Sequence, residues 1–469
     1  MDSGLICRQL RADDFRINRH RASDARFGRL DERRVARDDS HNSAFSPDNA
    51  AHQPRSTGSN FELAYVLLMR TILISGAGVA GPTLAFWLKA AGFEPTLIEQ
   101  APTLRNGGYV IDFWGLGYDI AERMGISSEI NGVGYHVREM RIVNDAGRRL
   151  AGFGTRVLSE LTGGRYVTLQ RSDLSRLLFG KIEGHCETRF GEEIVALNEQ
   201  PDCVFVELRR GGERRFDLVV GADGLHSTVR RLAFGRQSQF EKQLGYRVAA
   251  FETAGYRPRD EDVYLLYGRP GRMIGRFTLR DDRTLFLFVF GADDSSLPAT
   301  LQQQKAILRE VYGRCGWECP PILDALGRTE ELYLDRVSQI RMSGWSRGRI
   351  ALVGDAAFCV SLLAGQGSAL AMISAYVLAG ELAAAHSRHQ LAYRAYETKL
   401  RSFIETKQRG AERFAGAFAP KTNLGLLVRN LVIRAFAIPG VASLAVGRDI
   451  ADTLRLPDFV WPGVDRTRS

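Results

Sequence analysis

Cysteine is scarce, with six in 469 residues, and Cys315 and Cys319 form the lone close pair. That usage matches neither a disulfide framework nor the paired spacing of a zinc site, so a reducing cytoplasm is the default compartment. Long apolar runs are missing as well. The most apolar late stretch, Leu431 to Val446, is broken by Arg434 and Pro439 and falls short of the ~18 uninterrupted residues of a membrane helix, so no transmembrane segment is expected. No block of like charges resembles a nucleic-acid tail: 63 basic against 54 acidic residues leave +9 spread over the length, a balance that suits phosphate-bearing small molecules. The histidines are scattered without a metal-ligand pair on a helix, and no nucleophile, base and orienter can be matched by spacing. What is left is ordinary globular material, 45% hydrophobic and 25% charged, long enough for roughly two or three domains.

Residues 1–68 hold 11 Arg and no Lys against 10 acidic residues, with few apolar side chains before Phe61. Little core can form from them, and they read as a disordered N-terminal extension. Arg8, Arg11, Asp13, Asp14 and Arg16 leave no room for the apolar stretch of a secretory signal, and a transit peptide would be poor in acids. Met69 is the expected natural start, because it directly precedes the apolar run Thr71 to Ile74.

That run opens the first motif. It leads into Ser75-Gly76-Ala77-Gly78-Val79-Ala80-Gly81 and a helical stretch, Leu84 to Ala91, ending at Gly92. In a strand, glycine turn and helix of this kind, Gly76 permits the tight turn, Gly78 lets the backbone approach a pyrophosphate, and Gly81 lets the helix pack on the strand. Phosphates then meet the unpaired N–H groups and positive dipole end of the helix, where Pro82 costs little. A second strand, Pro95 to Glu99, ends in an acid 23 residues after Gly76, near the ~20-residue offset of a carboxylate that grips ribose hydroxyls. The motif predicts an adenine dinucleotide and leaves FAD and NAD both open.

Two later segments repeat the logic. Phe216 to Gly221 is a buried strand leading to Asp223 and Gly224, with a helix capped near Ser227. Gly348 to Val353 is another, ending in Gly354-Asp355, followed by Gly365-Gln366-Gly367 and an apolar helix from Ser368 to about Ala385. Reduced flavin carries negative charge near N1, and backbone donors at that helix start would stabilise it.

In these segments the chain resembles the FAD-dependent class A monooxygenases, the p-hydroxybenzoate hydroxylase-like family that includes tetracycline-inactivating enzymes, from Met69 to about Leu400. The resemblance implies an α/β fold: a doubly wound, Rossmann-like FAD-binding domain interrupted by a β-sheet substrate domain, with C-terminal helices. It places Gly76, Gly78 and Gly81 at the ADP pyrophosphate, Glu99 at the adenosine ribose, and Gly354 and Asp355 at the ribityl chain. Asp223 falls near the pyrophosphate and the nicotinamide route, and Arg105 and Arg171 look like flavin-side arginines. Asp112 either approaches the flavin ring, as in the tetracycline-inactivating branch, or is a solvated strand-end acid. The chain departs from the pattern at Phe358 in place of His, at Ser361-Leu362 in place of a proline pair, and at Ala369 in place of Asn, which removes a side-chain partner for the ring. The implied cofactors are FAD and transient NAD(P)H, and the implied reaction is insertion of one atom of O2 into a small aromatic or polyketide-like substrate through a flavin C4a-hydroperoxide.

The expected order is a first FAD-binding part at 69–240, a substrate sheet at 241–345, a second FAD-binding part at 346–389, and a helical region at 390–469. Residues 141–167 are expected to lend strands to the sheet. Apolar alternation marks Tyr246 to Phe251, Val263 to Tyr267, Arg272 to Phe277 and Thr284 to Phe290 as strands. Tyr246, Phe251, Tyr267, Phe277, Phe286 and Phe288 are expected on one face over the flavin, lining a pocket or forming core. Arg247, Arg269, Arg272 and Arg276 are candidates to attract the nicotinamide nucleotide, weighed against the commoner role of solvated charges, and none is assigned. Helices over 390–418 and 423–436 are expected to pack on the FAD domain or on a partner subunit, which leaves a homodimer open. Flavin-dependent halogenation is disfavoured, because no two of Trp87, Trp114, Trp317, Trp345 and Trp461 make a Trp-x-Trp signature. A reductase or dehydrogenase of the same fold and a flavin-binding sensor without turnover are the other readings. Deleting residues 1–68 is expected to leave FAD uptake intact; a truncated protein that stays colourless after reconstitution would show that the extension belongs to the cofactor domain.

Overall fold

The strand Thr71–Ser75 is buried on both faces, which is why it is a continuous rather than an alternating apolar run. It pairs in parallel with Leu218–Gly221 on one side and Glu94–Glu99 on the other. Ile350–Leu352 and Glu187–Phe190 extend this parallel core outward, and Ser346–Arg347 adds a short antiparallel edge. The computed structural model describes residues 71–105, 107–292, 296–386, 388–436, 438 and 454–462. The expectations for residues 1–68 and Met69 lie outside them.

Neighbouring parallel strands need a crossover, and the first is the helix Ala80–Ala90. It packs against Gly367–Ala384, which is buried nearly all round. Among the described residues Gly367–Ala384 alone is long and apolar enough to cross a membrane, and it is the core helix of this fold. Trp87 lies edge-on to Tyr376 at 5.0 Å and against Trp461 at 4.6 Å. The segment 454–462 thus returns to the core, where the Phe459 ring fills the notch left by Gly380.

A second sheet of seven strands runs in the order Tyr333–Ile340, Glu241–Ala254, Arg283–Gly291, Arg272–Thr278, Val263–Arg269, Glu139–Val143 and Arg149–Gly154. It is antiparallel except between Val263–Arg269 and Glu139–Val143. The alternation splits its aromatics between two faces rather than gathering them on one. Phe251, Tyr267, Phe286 and Phe288 pack under the helices Leu301–Tyr312 and Cys319–Arg328. Tyr246 and Phe277 lie in the clusters on the other side, where Leu363 from the Gly365 turn joins them. Four of the six aromatics are therefore core beneath two helices that the strand pattern did not announce. The arginine expectation also changes. Arg276 and Arg247 are buried, and Arg276 pairs with Asp260 and Glu318 because only opposite charge makes such burial tolerable.

Ile194–Glu199, Val204–Leu208 and Gly212–Phe216 form a small meander, and Val110–Trp114 pairs with Tyr166–Gln170. The helix His389–Phe418 packs on Gly367–Ala384. Asn423–Ala435 rests on Arg149–Gly154 at the edge of the seven-stranded sheet, rather than on the FAD domain, one of the two places expected for it. Its Leu424, Leu427, Val428, Leu431 and Val432 face water.

A Cβ at Gly81 would run into the Gly76 carbonyl oxygen, which is why that helix can sit so close to its strand. Gly81→Ala is expected to cost about 1–3 kcal/mol through this overlap. Gly180→Ala, which meets open space, should leave the melting temperature unchanged. Equal melting temperatures for the two variants would contradict the close approach.

Candidate cofactor and substrate site

The three glycine turns meet at one end of the parallel sheet. Gly76, at φ +111°, lies so near the second motif that a Cβ would stand 2.5 Å from the Ala222 carbonyl oxygen and 2.9 Å from Asp223 Cα. Gly354, at φ +59°, would place its Cβ 3.4 Å from the Cβ atoms of Ala80 and Ala371. A Cβ on Gly78 would stand 3.4 Å from Nη2 of Arg171, and one on Gly367 3.8 Å from Oδ1 of Asp355. Residues far apart in the chain thus form one continuous cradle.

The helix Ala80–Ala90 carries no side-chain cap and no acid in its first turn, so its leading N–H groups and positive dipole end are offered to an anion. Arg171 stands beside Gly78 to add a full charge. Glu99 accepts from the Ala77 N–H at 2.8 Å and from the Ala101 N–H at 3.0 Å, which fixes its carboxylate at the edge of the turn. The helix Gly367–Ala384 is likewise uncapped at Gln366 and has no acid in its first turn. Two open helix starts, a guanidinium and glycines without steric cover fit a dinucleotide whose phosphates and ring anion need neutralising.

The buried acids are held differently from one another. Burial pushes the Asp355 carboxyl above the usual range, and Arg171, Cys359 and Arg230 oppose that shift. Asp223 is also raised by burial, although Ser227 Oγ and the N–H groups of Thr228 (2.8 Å) and Val229 (3.0 Å) donate to it. Its carboxylate therefore caps the helix Thr228–Ala233, while its backbone closes on Gly76. Asp112 is not a solvated strand-end acid: it lies mid-strand, where Tyr166 OH donates to it at 2.7 Å and Thr168 Oγ1 at 2.6 Å. Tyr264 of the seven-stranded sheet lies near it, and burial raises its carboxyl. Asp112 and Trp114 face Gly365, Gln366, Ala369 and Ile373 across a small cavity. Arg105 is exposed in the loop after Glu99.

The departures from the family pattern have packing reasons. Phe358 is buried against Trp345 at 4.7 Å. Ser361, at φ +120°, turns its Oγ to accept from Leu363 N at 3.3 Å. Ala369 meets Gly117, whose Cβ would stand 2.6 Å from its own, so a larger side chain would press on the helix Leu116–Arg123.

Arg230 was not assigned a role from the sequence. It is wholly buried and donates to Ala356 O at 2.8 Å, to Leu225 O at 2.6 Å and to Gln237, so it ties the Asp223 loop to the Asp355 turn. Tyr166, Thr168 and Tyr264 were missed as well. The strand register, Asp112 opposite Thr168, brings the first two to it, and Tyr264 comes from the seven-stranded sheet.

The FAD binding domain family matches residues 69–408. An uncharacterized protein of Mycobacterium tuberculosis is 37% identical over 350 residues, covering 72% of this chain and 92% of its own length. A flavin-dependent monooxygenase from an unknown prokaryotic organism is 34% identical over 350 residues, covering 72% of this chain and 88% of that protein. Among solved structures, tetracycline destructase Tet(55) superposes with a TM-score of 0.73 at 29% identity, covering 83% of this chain and 99% of that one. With these glycine turns gathered into one cradle, the chain belongs to the FAD binding domain family as an FAD-dependent class A flavoprotein monooxygenase.

Proposed function

We propose that this monooxygenase consumes NAD(P)H and hydroxylates a small aromatic or polyketide-like substrate. The observation that carries the reading is the cavity between Asp112 and Trp114 on one side and the start of the helix Gly367–Ala384 on the other. Trp114, Ala369, Leu370 and Ile373 line it with apolar groups, and Asp112, Gly365 and Gln366 bring the few polar ones. The tetracycline destructase likeness supports a polycyclic ligand class.

Bound FAD supplies hydride acceptance and O2 activation, so that one oxygen atom enters the substrate and the other leaves as water. The chain's own residues do the rest. Gly76, Gly78, Gly81, the helix start at Ala80 and Arg171 hold the pyrophosphate; Glu99 holds the adenosine ribose and Asp355 the ribityl hydroxyls. The uncapped helix start at Gln366 and Gly367 would stabilise negative charge on the pyrimidine end. Asp112, its carboxyl raised by burial while the Tyr166 and Thr168 hydroxyls donate to it, sets a fixed polar group at the cavity wall. No second glycine fingerprint exists for the nicotinamide nucleotide, consistent with transient binding.

The test is a flavin spectrum of the purified protein, followed by NADH and NADPH oxidation with O2 uptake and peroxide release across an aromatic and polyketide panel. Substrate-stimulated oxidation with a product gaining one oxygen is expected. Nicotinamide oxidation with no oxygenated product for any substrate would favour the reductase reading. Asp355→Ala is expected to weaken FAD retention by about 10–100-fold, the loss of a charge-assisted hydrogen bond. Asp112→Ala should hold FAD within about threefold of the parent while turnover falls. Equal retention in the two variants would overturn the assignment.

A further inference from the structure

The edge strand Tyr333–Ile340 alternates between the two faces of the seven-stranded sheet. Leu334 joins the cluster beneath the helices Leu301–Tyr312 and Cys319–Arg328, whereas Val337 joins the opposite cluster with Leu363. Tyr333 and Asp335 share the face of Val337, the side of the FAD domain. From there Tyr333 meets the ring of Tyr109, in the loop after Gly107 and Gly108, at 6.0 Å. Asp335 meets His226, three residues after Asp223. Successive residues on one face of an edge strand thus grip two loops of the FAD domain.

His226 Nε2 lies 2.8 Å from Oδ2 of Asp335, a buried carboxylate whose Oδ1 accepts from Arg336 N at 2.8 Å. The imidazole itself is half-exposed. Its Nδ1 lies 3.2 Å from Nε2 and 3.4 Å from Oε1 of Gln237, so that amide can donate to an imidazole or accept from an imidazolium. Gln237 also accepts from Arg230 at 3.1 Å and donates to Glu241 at 3.0 Å. Arg230 carries the connection on to Leu225 O and to Ala356 O, next to Asp355. Charge reaches the imidazole from each element around it. Asp335 and Arg336 come from the edge strand, Glu241 from the strand beside it, where it pairs with Arg336 at 3.5 Å, and Arg230 from the helix Thr228–Ala233. Asp223, on the loop itself, is taken up by Ser227, Thr228 and Val229.

We propose that His226 is a positioning residue for the flavin: its bond to Asp335 latches the Asp223 loop onto the seven-stranded sheet and holds it against the Gly76 turn. The proposal rests on the placement of Asp223 beside the dinucleotide. Asp223 Cα lies 2.9 Å from where a Cβ of Gly76 would stand, so a shift of this loop moves one wall of the cradle. With a proton on both ring nitrogens the latch is an ion pair. Loss of one proton leaves Nε2–H donating to Asp335 and Gln237 donating to Nδ1, and removes only the charge. The hydrogen bond to Asp335 raises the imidazole above its ordinary range, burial opposes the rise, and Gln237 and Glu241 add to it. The stabilisation by charge is therefore fully present below the ordinary ~6.5 and is lost as pH rises through the raised value.

The experiment follows FAD release from the full-length holoenzyme after dilution, by recovery of free-flavin fluorescence, between about pH 5.5 and about pH 8.5. Release is expected to quicken about two- to fivefold with rising pH, the worth of a partly exposed ion pair. His226→Gln keeps an amide hydrogen bond without the charge and should lose this slope, and Asp335→Asn should lose it too. The double variant should match either single one, because each breaks the same pair. A release rate independent of pH in the unaltered protein would overturn the proposal without any variant having to fold. So would a slope that survives in His226→Gln. Failure of the cradle assignment reads differently, as unchanged FAD retention in Asp355→Ala at every pH, and would take this proposal with it.

Discussion

Backbone touching backbone at glycine is the constraint on which the cofactor site depends. Gly76 lies against Ala222 and Asp223, Gly81 against the Gly76 carbonyl, and Gly354 against Ala80 and Ala371. The first two contacts are possible only without a Cβ, Gly354 adds a left-handed turn at φ +59°, and together they draw the ends of three parallel strands into one small volume. The strand ends carry Glu99, Asp223 and Asp355 with them. Two uncapped helix starts then aim into the same space. Binding a charged dinucleotide is thus a consequence of close packing before it is a matter of any single side chain.

The cavity has a different origin, because it is built between sheets. Asp112 belongs to a two-stranded ribbon, its hydroxyl partners Tyr166 and Thr168 sit on the facing strand, and Tyr264 reaches it from the seven-stranded sheet. Arg230 does the corresponding work within the FAD domain, spending its buried charge on carbonyls of two separate turns. A buried cation bonded to carbonyls of both turns is costly to disturb, and this fixes the spacing between the Asp223 and Asp355 segments. The cavity wall and the glycine cradle are therefore positioned by separate networks.

Legibility followed the range of the interaction. The first motif, the Gly-Asp turns and the long apolar helix could be read because strand, turn and helix are each local, and their periodicities survive in the sequence. The helices Leu301–Tyr312 and Cys319–Arg328 went unread, although Thr300 and Gln303 form a capping box that announces the first of them. The division of Phe251, Phe286 and Phe288 from Tyr246 and Phe277 depends on what covers each face, and alternation alone does not state it. Nor do the partners of Asp112 follow from spacing, since they lie 54 and 56 residues away and meet it only through register. Glu99 and Arg171 were legible as types, yet their placement beside Ala77 and Gly78 required the fold.

The strand order has a consequence for how the chain is made. Leu218–Gly221 is flanked by Thr71–Ser75, synthesised before it, and by Ile350–Leu352, synthesised only after most of the seven-stranded sheet has left the ribosome. For that whole interval the nascent polypeptide presents one unpaired apolar edge, a template for misassociation. Slow translation lengthens this exposure and chaperone occupancy shields it, until a three-residue strand arrives to cover the edge.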